Sequence, residues 1–217
     1  MKRIFLSLGF SLAVFLVLLV GCSEPRSKRA VYVLVDTSGT YSQQFEKVQG
    51  VMRYMLGTLL PGESLALARI DSESFSEKDI VARMSFDLRP SMANAQKRAF
   101  LESIEKFGAG ISPSKYTDIT GGILQAIEYL NETKANEKYI LIFSDLKEDI
   151  KQGQVRDFPI NFNGIHAVAI NVTKLQSDNI DPREYQQRLD AWATRVEQGN
   201  GYWKMINDLN RLEAIWD

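Results

Sequence analysis

The sequence predicts an α/β fold, a mostly parallel sheet sandwiched between helices on both faces. Three observations predict it. The continuous apolar runs Ala30–Val35, Lys138–Phe143 and Ile165–Ile170 lack the polar alternation of a half-exposed strand, so they read as strands covered on both sides. Between them, apolar residues recur at three- and four-residue spacing, the period of an amphipathic helix. A pair of shorter strands separated by one polar loop adds a hairpin, and hence one antiparallel strand.

The 217-residue chain opens with Lys2 and Arg3, followed by an apolar stretch from Ile4 to Val20 and then Gly21-Cys22. A positive start, an apolar middle and a small residue before a cleavage point predict a secretory signal over 1–21. Leu19-Val20-Gly21-Cys22 is similar to the bacterial lipoprotein box, and that resemblance implies that Cys22 becomes the acylated first residue. The alternative is an uncleaved anchor, because the apolar run lies between the lengths of a signal core and a full span. Cys22 is the only cysteine, so no intramolecular disulfide can staple the exported domain. Residues 22–29 form a polar tether without apolar periodicity. If the envelope is Gram-negative, the lipoprotein resemblance with Ser23 rather than an aspartate after Cys22 implies the periplasmic face of a membrane, the outer membrane favoured; the alternative is another extracytoplasmic surface.

Removing Lys2 and Arg3 with the signal leaves 24 basic against 27 acidic residues, a formal charge of −3. Nucleic acid would require a clustered basic surface, and none is visible. Residues 30–217 are enough chain for one domain with its own core.

The elements follow in order. After the first strand, Phe45, Val48, Met52 and Met55 mark a helix ended by Pro61-Gly62. Ser64–Ile70 and Ile80–Phe86 form the hairpin, with Asp71, Glu73, Glu77 and Asp79 in its loop, expected to be solvated. Met92 to Phe107 is a further helix, stopped by Gly108-Ala109-Gly110. Ile119, Ile123, Ile127 and Leu130 mark the helix that feeds the second long strand. Tyr185, Leu189, Trp192 and Val196 mark another, before the turn Gly199-Asn200-Gly201 and a short strand at Tyr202–Met205. Asp208 to Trp216 is expected to close the chain as a helix. His166, the only histidine, lies in a strand without a second ligand at metal spacing and reads as a core or edge residue. In parallel sheets, ligands bind at the carboxyl ends of the strands where strand order reverses, and Asp36 and Asp145 stand at such ends.

Three short segments carry chemistry there: Asp36-Thr37-Ser38-Gly39-Thr40, Tyr116-Thr117-Asp118-Ile119-Thr120-Gly121-Gly122, and Phe143-Ser144-Asp145. In this order they resemble the metal-ion-dependent adhesion site of the von Willebrand factor type A (VWA) domain. The resemblance covers essentially the whole chain after the tether. It implies a three-layer, Rossmann-like VWA fold. It further implies that Ser38 and Thr40 ligate a metal through their hydroxyls and that Thr117 does so directly or through water. Asp36 and Asp145 would hold coordinated waters or enter the shell. The family pattern prefers serine where this chain has Thr40. The other reading of these residues is local, since Asp, Ser and Thr ahead of a helix serve as caps, Thr117 or Asp118 among them.

The resemblance implies Mg²⁺, with Mn²⁺ or Ca²⁺ as alternatives. Mg²⁺ prefers six oxygens and retains several waters, so hydroxyl ligands with carboxylates behind them leave it under-neutralised with one position open. A carboxylate from a protein partner can fill that position. The expected function is therefore a membrane-tethered envelope lipoprotein that binds a protein through a divalent cation. A metal-free scaffold of an envelope assembly is the alternative. A hydrolase is disfavoured, since Ser38 breaks the Asp-x-Asp pattern and no Ser-His-Asp, Cys-His or P-loop set is visible.

Overall fold

The computed structural model describes residues 27–39, 44–71, 76–153 and 155–217. The proposed signal and Cys22 lie outside the described residues, as do Thr40 and Glu73. The elements are β1 (Arg29–Asp36), α1 (Phe45–Thr58), β2 (Ser64–Ile70), β3 (Ile80–Ser85), α2 (Pro90–Ala109), α3 (Ile119–Glu132), β4 (Glu137–Phe143), β5 (His166–Ile170), α4 (Pro182–Gln198) and β6 (Tyr202–Ile206). They make one sheet in the order β3-β2-β1-β4-β5-β6. Every neighbouring pair is parallel except β2–β3.

Successive side chains of a strand point to opposite faces, and here both faces are buried. Val31, Val33 and Val35 of β1 join Leu65, Leu67, Leu141 and Phe143 in a core beneath α1 and α2. Ala30, Tyr32 and Leu34 join Ala66, Ala68, Ile140 and Ile142 in a second core beneath α3 and α4. This is why the central strands carry no polar alternation. Each fully buried Val, Leu or Ile contributes roughly 1.5–3 kcal/mol, so the two cores together drive the three-layer arrangement.

The connection from β4 to β5 contains no helix among the described residues. It is held instead by Ile160, Phe162 and Ile165, which sink into the second core, and by a close approach to the end of α4. A Cβ on Gly199 would lie 2.0 Å from the Ile160 carbonyl oxygen, so only glycine fits that contact.

Two expectations need correction here. The stretch Asp208 to Trp216 is not a helix: only Leu212–Ile215 turns, as a short 3-10 segment. Asp208 accepts hydrogen bonds from the backbone and side-chain nitrogens of Asn210, both at 3.0 Å, a local turn that competes with helix formation. Second, the hairpin loop is not simply solvated. Asp79 is 1% exposed and pairs with Arg69 at 3.2 Å.

Candidate functional site

Strand order reverses between β1 and β4, so the crevice of this sheet opens at their carboxyl ends. Asp36 is the last residue of β1 and is buried. Its Oδ1 accepts from the Ser38 backbone at 2.8 Å and its Oδ2 accepts from the Ser144 hydroxyl at 2.8 Å. Ser144 is fully buried just past β4, and its oxygen also accepts from the Leu146 N–H at 3.0 Å. Thr37 donates to the Ile70 carbonyl at 3.1 Å, fastening the turn to the end of β2. Gly39 then takes a positive φ of 41°, a backbone conformation that glycine adopts without the steric cost of a side chain.

Asp145 is half-buried beside this pair, its Oδ1 accepting from the Lys147 backbone at 2.8 Å. The Arg188 guanidinium of α4 donates to the Asp145 carbonyl at 2.8 Å and ion-pairs with buried Asp178 at 2.8 Å. Leu146 follows with a φ of 65°, unusual for a residue of its size, and Trp192 donates to its carbonyl at 3.0 Å. The turn that presents Asp145 is therefore set by α4.

Thr117 arrives on the segment before α3. Its backbone exchanges both hydrogen bonds with Asp149, at 2.8 and 3.1 Å, while three residues earlier Ser114 donates to the Thr37 carbonyl at 3.0 Å. The Thr117 segment is thus laced to both strand ends that carry the carboxylates. Asp118 is fully buried and caps α3, accepting from Gly121 N at 2.8 Å. The capping reading holds for Asp118. Arg156 clamps the same carboxylate in a fork, at 2.9 and 2.7 Å.

Electrostatically, the two strand-end carboxylates are uncomfortable. Burial pushes the pKa of Asp36 upward against its hydrogen bonds to Ser38 and Ser144, and Asp145 adds to the push. Burial likewise raises Asp145. Among the described residues neither forms an ion pair, and no cluster of three or more His, Cys, Asp or Glu has metal-holding geometry. Ser38 and Thr117 bring hydroxyls to this rim beside the carboxylates of Asp36 and Asp145, and oxygens of these kinds are the ones a hard cation takes.

Of the five expected site positions, four are described, and all four lie at this one rim: Asp36, Ser38, Thr117 and Asp145. Sequence reasoning missed the supports. Ser144 sits inside a quoted segment, yet its bond to Asp36 depends on β1 and β4 being neighbours. Glu148 accepts from Thr120 N at 2.6 Å and pairs with Arg195 at 3.6 Å, contacts that depend on the fold bringing these segments together. Arg156 gave no signal at all, because its reach to Asp118 depends on the path of the helix-free connection.

No protein-family model matches the chain, and no curated protein matches it. Solved structures do match. The PilB minor pilin from Streptococcus sanguinis aligns with 89% of this chain and 61% of its own, at 13% identity and a TM-score of 0.55. The pilus adhesin SpaC from Lactobacillus rhamnosus GG, in an open conformation, aligns with 87% of this chain and 29% of its own, at 14% identity and a TM-score of 0.50. A von Willebrand factor type A structure from Catenulispora acidiphila aligns with 87% of this chain and 41% of its own, at 14% identity and a TM-score of 0.49. The chain spans less than two thirds of the length of each of these. At such identities the likeness is one of fold: a mixed six-stranded sheet flanked by four helices, a VWA-like α/β domain.

Proposed function

We propose that this chain is a lipid-anchored protein of the bacterial cell envelope whose VWA-like domain binds a protein partner through a divalent cation. One observation carries the reading. Asp36 and Asp145, both desolvated and neither ion-paired among the described residues, converge at the switch point of the sheet beside the hydroxyl-bearing residues Ser38 and Thr117. A cation would relieve that desolvated negative charge, and hydroxyl and carboxylate oxygens suit Mg²⁺, with Mn²⁺ and Ca²⁺ as the alternatives.

Ser38, Thr40 and Thr117 would hold the ion through their hydroxyls, and Asp36 and Asp145 would hold its waters or enter the shell. Bound there, the ion supplies an open coordination position for a carboxylate of the partner. The chain's own residues do the positioning: Ser144 aims Asp36, Arg188 and Trp192 shape the Asp145 turn, and the Asp149 backbone holds Thr117. Two structures of similar fold, a minor pilin and a pilus adhesin, support a binding rather than a catalytic reading. The Cys22 box and the apolar stretch before it support the anchor.

Isothermal titration of the protein with Mg²⁺, Mn²⁺ and Ca²⁺ tests the site. Saturable binding of one ion, lost in Asp36→Ala while the domain stays folded, is the expected result. Silence toward all three would favour a metal-free scaffold. Mass spectrometry of the N-terminal peptide, with Cys22→Ala as control, tests acylation.

A further inference from the structure

The site and the point where the chain enters the domain lie at opposite ends of β1. Eight residues of strand separate them, about 26 Å. The seven residues 22–28 can span at most about 25 Å, less than twice the roughly 16 Å radius of gyration of a domain this size. An anchor at Cys22 therefore keeps the base of the sheet close to the bilayer.

That base carries exposed apolar side chains at both edges. On the β3 edge, Leu88 is 70% exposed and Met92, in the first turn of α2, is 44% exposed. On the β6 edge, Tyr202 opens its strand and is 61% exposed. Five strand spacings, about 24 Å, lie between the two edges. Leu88 and Lys28 share the corner at which the chain enters: a Cβ on Gly62 would lie 2.7 Å from the Leu88 Cδ2 and 3.8 Å from the Lys28 Cε. Between the edges, Trp216 stacks under the Arg29 guanidinium at 4.4 Å, and a cleft of about 280 Å³ is lined in part by Lys28, Ser64, Glu132, Thr133 and Lys134. Tyr, Trp and Lys around apolar tips is the composition of a membrane interface. Single exposed apolar residues are ordinary on any surface. Among the exposed large apolar side chains of the described residues, Leu88, Met92 and Tyr202 fall at the end the tether holds near lipid, whereas Ile180, 89% exposed, stands away from it before α4.

We propose that this base is a membrane-contact surface, with Leu88, Met92 and Tyr202 seated at the headgroup level of the bilayer that holds Cys22. The inference rests on the lipid-anchor reading. Arg29 and Arg89 are already paired with Glu63 and Asp87, and Lys28, Lys134 and Lys138 are partly offset by Glu132 and Glu137, so apolar seating rather than charge carries the contact. The domain then stands upright, with the Asp36 rim directed away from the membrane.

The test uses the full acylated chain in phosphatidylethanolamine–phosphatidylglycerol vesicles. A fluorophore is placed at Leu88→Cys, at Tyr202→Cys or, on the opposite rim, at Lys115→Cys, with doxyl lipid as quencher. Quenching several-fold stronger at 88 and 202 than at 115 is expected, since seated side chains reach ~5–10 Å into the boundary. A chain that floats with the vesicles but shows equal or no quenching at 88 and 202 overturns the proposal alone. A chain that does not float overturns the anchor and the proposal together.

Discussion

Ser144 donates its hydroxyl to the Asp36 Oδ2 at 2.8 Å, across the pair of strands at which the order of the sheet reverses. Neither residue is more than 1% exposed. The bond aims the carboxylate but does not neutralise it.

Asp36→Asn should therefore stabilise the domain in the absence of divalent ions. The amide oxygen can still accept from Ser38 N, and its nitrogen can donate to the Ser144 oxygen. What disappears is a desolvated charge, whose cost is visible in the upward push on the Asp36 pKa by burial. A gain of about 1 kcal/mol would raise Tm by roughly 2–4 °C for a domain of this size. The same variant should lose any rise in Tm on adding Mg²⁺. Thermal melts with and without the ion decide it, and a lower Tm in chelator would mean the carboxylate is needed structurally.

Arg156→Ala should be among the most damaging changes remote from the two main cores. It strips the fork from Asp118, which is fully buried, and breaking a buried ion pair by removing one partner costs up to about 3–5 kcal/mol. Arg183 makes a similar fork to Asp181 on the surface, where solvent screens it, and Arg183→Ala should leave stability unchanged. Urea denaturation of the two variants separates the cases. Equal effects would show that the Asp118 pair is not what holds the start of α3.

Much of this was legible beforehand, for reasons particular to the residues. β1 and β4 announce themselves because both of their faces are buried, which removes every polar position from Ala30–Val35 and from Tyr139–Phe143. Asp36, Ser38, Thr117 and Asp145 are legible because each sits in a short segment tied to a strand or helix end. Arg156 and Glu148 are not, since they act from a connection without periodicity whose path is set by Ile160 and Phe162 entering the core. The false closing helix has the same origin. Leu209, Leu212 and Trp216 pack on the first core from an irregular segment, and apolar spacing alone cannot tell that from a helix.

Glycine substitutions should divide sharply by position. Gly50 is an exposed position inside α1, and a methyl group added there would meet nothing within 4 Å, so Gly50→Ala should stabilise by about 0.5–1 kcal/mol. Gly199→Ala would drive a Cβ to 2.0 Å from the Ile160 carbonyl oxygen, a backbone atom that can move only with the whole connection. Its Tm should fall by several degrees. A neutral Gly199→Ala would show that the helix-free connection is far softer than its buried side chains indicate.

His166 should make the domain sensitive to mild acid. Its ring lies between Tyr139 and Tyr202, with centroids 4.9 and 4.7 Å away and near-parallel planes. Burial lowers its pKa, which the nearby Glu137 opposes and Lys204 assists. With the folded-state value below the unfolded one, the unfolded chain takes up a proton first as pH falls. This contribution to stability is thus complete above the unfolded value of about 6.5 and is lost as pH drops from there toward the folded value. Asp36 and Asp79, which are buried, and half-buried Asp145 have raised values and favour the folded state in acid, so the histidine effect must be read as a difference. Urea unfolding of the wild type and of His166→Phe between about pH 7.5 and 5 supplies that difference. The wild type should lose stability relative to the variant as pH falls, and parallel curves would mean the histidine titrates equally in both states.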